Sequence, residues 1–388
     1  MNNKKVLITG VGGVGIFAAH LIARLPDVEL YLGRRGYSFI KHKANGIMDS
    51  AFYMNPDNPY PIVIPVKMDL MDVEQTTSQL KEIQPDIILH LATLLSAQKI
   101  REGLPVDVAK KIYDANPVGT GLRPWAPGHA VLLLNLMKAV KASGVDSKVV
   151  NGSGCDFLHL SFSKFGLEPT CGLGDFALLE PGIKRISARV KGYDQTKLEL
   201  HMTGHHSLVM PIMFFGDSQG IPYIIKTIYD GKDISNQIDY VKDIFPHMPN
   251  ESSWPPNASA HDQEQTAAHA ARIVKAILYD TNEILNVPAP EGQPGCYPAT
   301  VGAHGAKILV SEGETLEELI EINNSGNVAE GFKEIRDDGT MVATDRTIEL
   351  VEEVFGINWK YKSFHPEEAF EAFKEIQAAY NNFAKKYK

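Results

Sequence analysis

Residues 1–155 alternate between short apolar runs and apolar residues at helical spacing. "KKVLITG" (4–10) is an apolar run closed by glycine and predicts a buried strand. "GIFAAHLIARLPD" (15–27) carries apolar residues at helical spacing and ends before a Pro-Asp turn, so a helix follows. "VELYLG", "YPIVIPVKMDL" and "PDIILHLA" predict three more strands, with the helix "VEQTTSQLKEIQ" between the last two. "VLLLNLMKAVKASG" and "SKVVNGSG" add a helix and a fifth strand. Near-continuous apolar strands in a β-α-β-β-α-β order predict a parallel sheet covered on both faces.

The second half has a more mixed pattern. "SLVMPIMFF" reads as a strand, "QEQTAAHAARIVKAILYD" as the clearest helix, and "EILNVPAPEGQPGCYPATVGAHGAKILV" as strand, turn, strand. The last stretch is helical and amphipathic. "IREGLPVDVAKKIYDANPVGTGLRPWAPGHA" (100–130) reads as a long Pro/Gly-rich connection, and "SSWPPNASAHD" (252–262) as an exposed loop or a helix entry. The expected class is α/β: a Rossmann-type doubly wound parallel sheet over 1–155, then an α+β substrate and oligomerisation domain over 156–388.

Composition narrows the function. The 388 residues carry a net charge of −9, with no long basic run. That argues against nucleic acid or an anionic membrane as partner. Three cysteines without C-x-x-C spacing suggest neither a disulfide framework nor a zinc site. The chain enters a strand at once and has no long apolar span, which reads as cytoplasmic.

The clearest motif is "GVGGVG" after the first strand, where Gly10, Gly12 and Gly15 satisfy G-x-G-x-x-G. Between a strand and a helix, this pattern suits a dinucleotide pyrophosphate at the helix N-terminus, with Gly13 and Val14 completing the loop. The second strand ends "YLGRRG" with no acid, and Arg34 and Arg35 stand where a 2′-phosphate would be met. The expected cofactor is therefore NADP in preference to NAD.

"GYDQTKLELHMTGHH" (192–206) holds two candidate devices for moving a proton: the Y-x-x-x-K pair Tyr193 and Lys197, and the tandem His205–His206. An imidazole titrates in the range needed to take a proton as hydride leaves. His201, His205 and His206 lie near Cys155 and Asp156 in patterning, but without dedicated metal-ligand spacing, so no metal is expected.

Two family resemblances accompany these motifs. "LITGVGGVG", "GRR", "MDLMD" and "ILHLAT" resemble the extended short-chain dehydrogenase/reductases. That resemblance implies Asp69 beside the adenine and Leu91, Ala92 and Thr93 along the cofactor. It also implies Tyr193 and Lys197 as the catalytic pair of a reductase or sugar-nucleotide epimerase. Residues 130–300 instead resemble the lactate/malate dehydrogenase superfamily, with the related family-4 glycosidases, through "NGSGCDFLHL", "FGLEPTCGLGD", "MTGHHSLVMPI" and the helix from Thr266. That likeness implies His205 as the proton-transferring residue, with His206 one step away. It implies Arg185 or Arg189 as the substrate-anion arginine and Arg123 as a loop arginine. Together these imply an NAD(P)-dependent dehydrogenase acting on a small polar, anionic secondary alcohol or its ketone, as a homodimer or homotetramer. A non-catalytic NADP sensor is the alternative from another class.

Overall fold

Six short strands pair in parallel: β1 (Lys4–Thr9), β2 (Val28–Arg34), β3 (Ile62–Lys67), β4 (Ile87–His90), β5 (Lys148–Asn151) and β6 (Cys171–Gly172). Their order in the sheet is β3-β2-β1-β4-β5-β6. This is the doubly wound order, and it reverses between β1 and β4, opening a crevice at the strands' carboxyl ends. The structure is a computed structural model that describes residues 3–57, 61–95, 97–101, 104–113, 120–251 and 263–387.

Helices α1 (Gly13–Ile22) and α3 (Val73–Ile83) form as the apolar spacing predicts. Between β2 and β3, where the sequence reading has strand follow strand, stands α2 (Tyr37–Met54). Parallel neighbours need a crossover, and a helix commonly supplies it. Its buried face, Ile40, Ala44, Ile47 and Ala51, has helical spacing. Exposed Tyr37, Phe39, Phe52 and Tyr53 obscure that spacing in the sequence.

Short helices α4 (Ala97–Arg101) and α5 (Val106–Tyr113) lie in the Pro/Gly-rich stretch, and α6 (Ala126–Ser143) and α7 (Cys155–Ser163) flank β5. The rest carries α8 (Glu180–Lys191), α9 (Val209–Phe215), α10 (Met248–Glu251), α11 (Glu264–Tyr279), α12 (Leu316–Ala329), α13 (Asp345–Phe355) and α14 (Ala369–Ala384). Three antiparallel sheets accompany them. They are β7 (Leu198–Thr203) with β8 (Ile224–Tyr229) and β9 (Lys232–Asp233); β10 (Glu283–Pro288) with β11 (Cys296–Gly302) and β12 (Gly305–Ile308); and β13 (Phe332–Ile335) with β14 (Met341–Ala343) and β15 (Ser363–Phe364).

"SLVMPIMFF" is not a strand. Ser207 and Leu208 sit in a 3-10 turn and the remainder forms α9. A short apolar run fits a buried helix as well as a strand, and periodicity cannot separate the two. "SSWPPNASAHD" lies outside the described residues.

Both faces of the parallel sheet are buried. One core joins Ile8, Leu30 and Leu89 to α1, α2 and Ala267, Ala270, Val274 and Ile277 of α11. The other joins Leu7, Ile88 and Val149 to α6 and to Ala369 and Ala372 of α14. The late helix α11 packs against α1 and brings Thr266 to the crevice, and α14 covers α6 on the other side.

Candidate functional site

A cleft of about 750 Å³ runs over the carboxyl ends of β1, β2 and β4. Its first end is the glycine loop. Gly10 takes a φ of +88°, and a Cβ there would lie 2.4 Å from the Ala92 nitrogen. A Cβ on Gly15 would stand 2.5 Å from the Gly10 carbonyl oxygen. These two glycines are therefore required by the protein's own packing. Gly12 differs: a Cβ there would meet nothing within 4 Å. It caps α1 beside the cleft, so its missing side chain leaves room for a ligand next to unpaired helix N–H groups. That cradle fits a dinucleotide pyrophosphate.

Gly10, Gly12, Gly13, Val14, Gly15, Arg34, Arg35, Asp69, Leu91, Ala92 and Thr93 all line this one cleft. Arg34 donates to the Val11 carbonyl at 3.0 Å and lies over the Phe39 ring at 4.2 Å. Thr93 donates to the Gly128 carbonyl at 3.1 Å, which ties the wall to the start of α6.

The other end carries the ionisable groups. β7 leads into Gly204 and then the two histidines. His205 is fully buried. Its Nδ1 accepts from the Ser207 backbone N–H at 3.2 Å, and its Nε2 meets Asn327 Oδ1 at 3.1 Å. Gly326 of α12 packs on it so closely that a Cβ there would clash with the His205 Cβ. Burial lowers its pKa, so it is held neutral as an N-cap. His205 does not line the cleft.

His206 does. Its Nδ1 meets Glu330 Oε1 at 2.7 Å, and its backbone N–H donates to Asp156 Oδ2 at 2.7 Å. With Nδ1 engaged, Nε2 is the nitrogen left for a substrate. Burial works to lower its pKa, but the Glu330 carboxylate more than offsets this. Asp175 and Asp156 add to the effect, and the imidazolium persists to about 9. Glu330 is 2 % exposed and also accepts from the Leu122 N–H at 3.0 Å. His206 and that N–H hold it ionised despite burial, with its pKa lowered.

On another part of the wall, His129 Nδ1 bonds Ser153 Oγ at 2.9 Å. Burial, with the charge of His206, pushes His129 down to about 4, so it stays neutral. Asp175 completes this end and accepts from the Cys155 thiol at 2.8 Å. The atoms of Cys155, Asp156 and Asp175 lie within 4.8 Å of one another.

The remaining candidates are elsewhere. Tyr193 and Lys197 share no helix: Gly192 ends α8 with a φ of +76°, and Asp194 caps a separate 3-10 turn. Tyr193 packs on Tyr229 at 4.9 Å, and Lys197 faces Asp230 at 3.5 Å. Neither reaches the cleft. Arg185 and Arg189 are exposed and engage Glu251. Arg123 is fully buried and pins the chain, with Nη2 donating to the carbonyls of Met341, Tyr361 and Lys362 at 2.9, 3.1 and 3.0 Å.

Sequence reasoning missed Glu330, Asp175 and His129 as site residues. Glu330 lies in "NVAEGF" with no motif around it, 124 residues from its histidine. Asp175 offered one signal, a lone acid after a Gly-x-Gly that follows a strand.

No family model matches the sequence, and no curated protein matches it. Solved structures do match in shape. Lactate dehydrogenase from Eimeria maxima, solved with NADH and oxamate, matches with a TM-score of 0.56 and 11% identity over 84% of this chain and 93% of that one. Lactate dehydrogenase from Cryptosporidium parvum, with lactic acid and nicotinamide adenine dinucleotide, gives 0.55 and 16% over 85% and 98%. Malate dehydrogenase from Plasmodium falciparum, with NADH, gives 0.55 and 14% over 95% and 100%. The chain therefore has the fold of these dehydrogenases: a Rossmann-type sheet followed by a C-terminal domain. The short-chain-reductase likeness of the N-terminal half finds no counterpart among these neighbours.

Proposed function

We propose that the protein is an NAD(P)-dependent oxidoreductase that interconverts a secondary alcohol and its ketone on a small polar substrate. One observation carries this reading: the open Gly12 cradle and the His206–Glu330 pair line or border one cleft. The lactate and malate dehydrogenases of like fold were solved with NADH, and that supports a nicotinamide cofactor here.

Gly10 to Gly15 would hold the pyrophosphate, Asp69 and Arg34–Arg35 the adenosine, and Leu91 to Thr93 the wall beside the nicotinamide. When bound, the dinucleotide supplies or accepts the hydride. His206 manages the proton. As imidazolium it donates from Nε2 to the carbonyl oxygen during reduction; as neutral imidazole it takes the hydroxyl proton during oxidation. Glu330 fixes the ring and stabilises the charged form, and His205 holds the turn that presents it. The anion expected from Arg123, Arg185 and Arg189 loses its support, because these arginines are engaged elsewhere.

The absence of an acid at the end of β2, with Arg34 and Arg35 lining the cleft there, favours NADP over NAD. Titration with NADPH and NADH, on wild type and R34A/R35A, tests this reading. Tighter NADPH binding that the double variant loses is the expected result. Binding of neither cofactor overturns the whole proposal. Tight binding without turnover of any carbonyl would instead fit a sensor.

A further inference from the structure

The chemical end of the cleft is more acidic than an anion site should be. Carboxylates are best read by a guanidinium fork, or at least by a cation. Among the described residues, the cleft's arginines are Arg34 and Arg35, at its other end. Lys99 also lines the cleft, but it is exposed on α4. Segments 114–119 and 252–262 contain neither arginine nor lysine.

Asp175 stands in the wall instead, beside Ser153, His206, Gln263 and Thr266. It takes a φ of +52°, in the left-handed region that aspartate tolerates better than most residues. Asp175 Oδ2 accepts the Cys155 thiol. Behind it lies Asp156, whose carboxyl is pushed well up by burial and by the adjoining Asp175. A substrate carboxylate placed against Asp175 would meet a second carboxylate, and His206, the cation at this end, is committed to Glu330 and to the reacting oxygen. A hydroxyl would find an acceptor, with the neutral His129–Ser153 pair on the same wall. An ammonium group would share the wall with the His206 imidazolium.

We infer that Asp175 selects the substrate by accepting a hydrogen bond from a hydroxyl next to the reacting carbon, so that the enzyme interconverts an α-hydroxyketone and a vicinal diol. This rests on the oxidoreductase reading above. In the reducing direction the carbonyl carbon gains a hydride from the reduced dinucleotide, and its oxygen gains the proton from His206. The products are the diol, oxidised dinucleotide and neutral His206.

The test is reduction at neutral pH by the protein loaded with its preferred reduced cofactor. Dihydroxyacetone and erythrulose are set against pyruvate and oxaloacetate, and against aminoacetone. The expected result is kcat/KM at least about tenfold higher for the hydroxyketones. D175N should then raise KM for them about tenfold while leaving cofactor affinity unchanged, and should narrow the gap to the oxoacids. If oxoacids or aminoacetone are the best substrates on wild type, the inference falls and the oxidoreductase reading stands. If the loaded protein reduces no carbonyl in any class, both fall. The wild-type comparison decides the matter even if D175N does not fold.

Discussion

The two ends of the cleft are built on different physics. The nucleotide end is mainly backbone: glycines at a strand-to-helix turn, helix N–H groups, and two exposed arginines. The chemical end is side chains withdrawn from water: Glu330, 2 % exposed, is ionised beside His206, while burial and the neighbouring Asp175 push the Asp156 carboxyl well up. At the first end a substitution at Gly12, Arg34 or Arg35 changes affinity and little else, although Gly10 and Gly15 are fixed by packing. At the second it also changes the stability of the fold, because leaving one member of a buried charge pair alone is costly.

The sharpest way to break that contrast is E330A. Removing the carboxylate leaves the His206 cation without its partner and the Leu122 N–H without an acceptor. Denaturant unfolding should show a loss of about 3–5 kcal/mol. A loss under about 1 kcal/mol would mean the pair is solvated and not part of the core. H206Q is next. It should cut hydride transfer by about 10²–10⁴, the usual range for a general acid or base. Cofactor affinity should hold, since His206 serves the other end; a parallel loss of cofactor binding would collapse the distinction.

The pH dependence separates the ends further. His206 has its pKa raised in the fold from 6.5 to about 9. Its stabilising contribution is therefore complete below 6.5 and disappears as pH climbs through about 9. Glu330 is lowered from 4.5, so its contribution is complete above 4.5 and fades as pH falls through its folded value. Unfolding free energy should decline between pH 6.5 and 9 in the wild type. In E330Q that alkaline decline should largely vanish, and ketone reduction in the wild type should fall off above about 9. An unchanged slope in E330Q contradicts the pairing.

The smaller effects belong to exposed groups. R34A/R35A should weaken NADPH about tenfold more than NADH, consistent with charged hydrogen bonds at an exposed site. Y193F should be the quietest change, within about 0.5 kcal/mol in stability and without effect on rate, since the ring contact with Tyr229 survives.

What the sequence made readable follows the same division. Gly10, Gly12 and Gly15 lie within one strand-to-helix turn, so a strand-turn-helix pattern is enough to place them. Arg34 follows because it ends β2, while Asp69 and Leu91 to Thr93, just past β3 and β4, were implied by the short-chain-reductase resemblance. The chemical end has no such locality. His206 waits on Glu330 at the end of α12, and Glu330 is held by the Leu122 turn, where a Cβ on Gly121 would strike the Glu330 carbonyl. The tandem histidines were legible as a pair; their division of labour was not. Chain direction sends one side chain under α12 and the other into the cleft, and only packing decides which. The Tyr193–Lys197 spacing misled because it presumed a helix, and Gly192 had already ended one.

The proposed active centre puts a charged imidazole, held by Glu330, on the same cleft as the cofactor. Histidine ring signals followed by NMR through a pH titration, in wild type and H206Q, test it most directly. One resonance, absent in H206Q, should keep its proton to about pH 9 and shift when NADPH is added. If every imidazole titrates below pH 7, or the high one ignores the cofactor, the proton site and the nucleotide site are not one active centre.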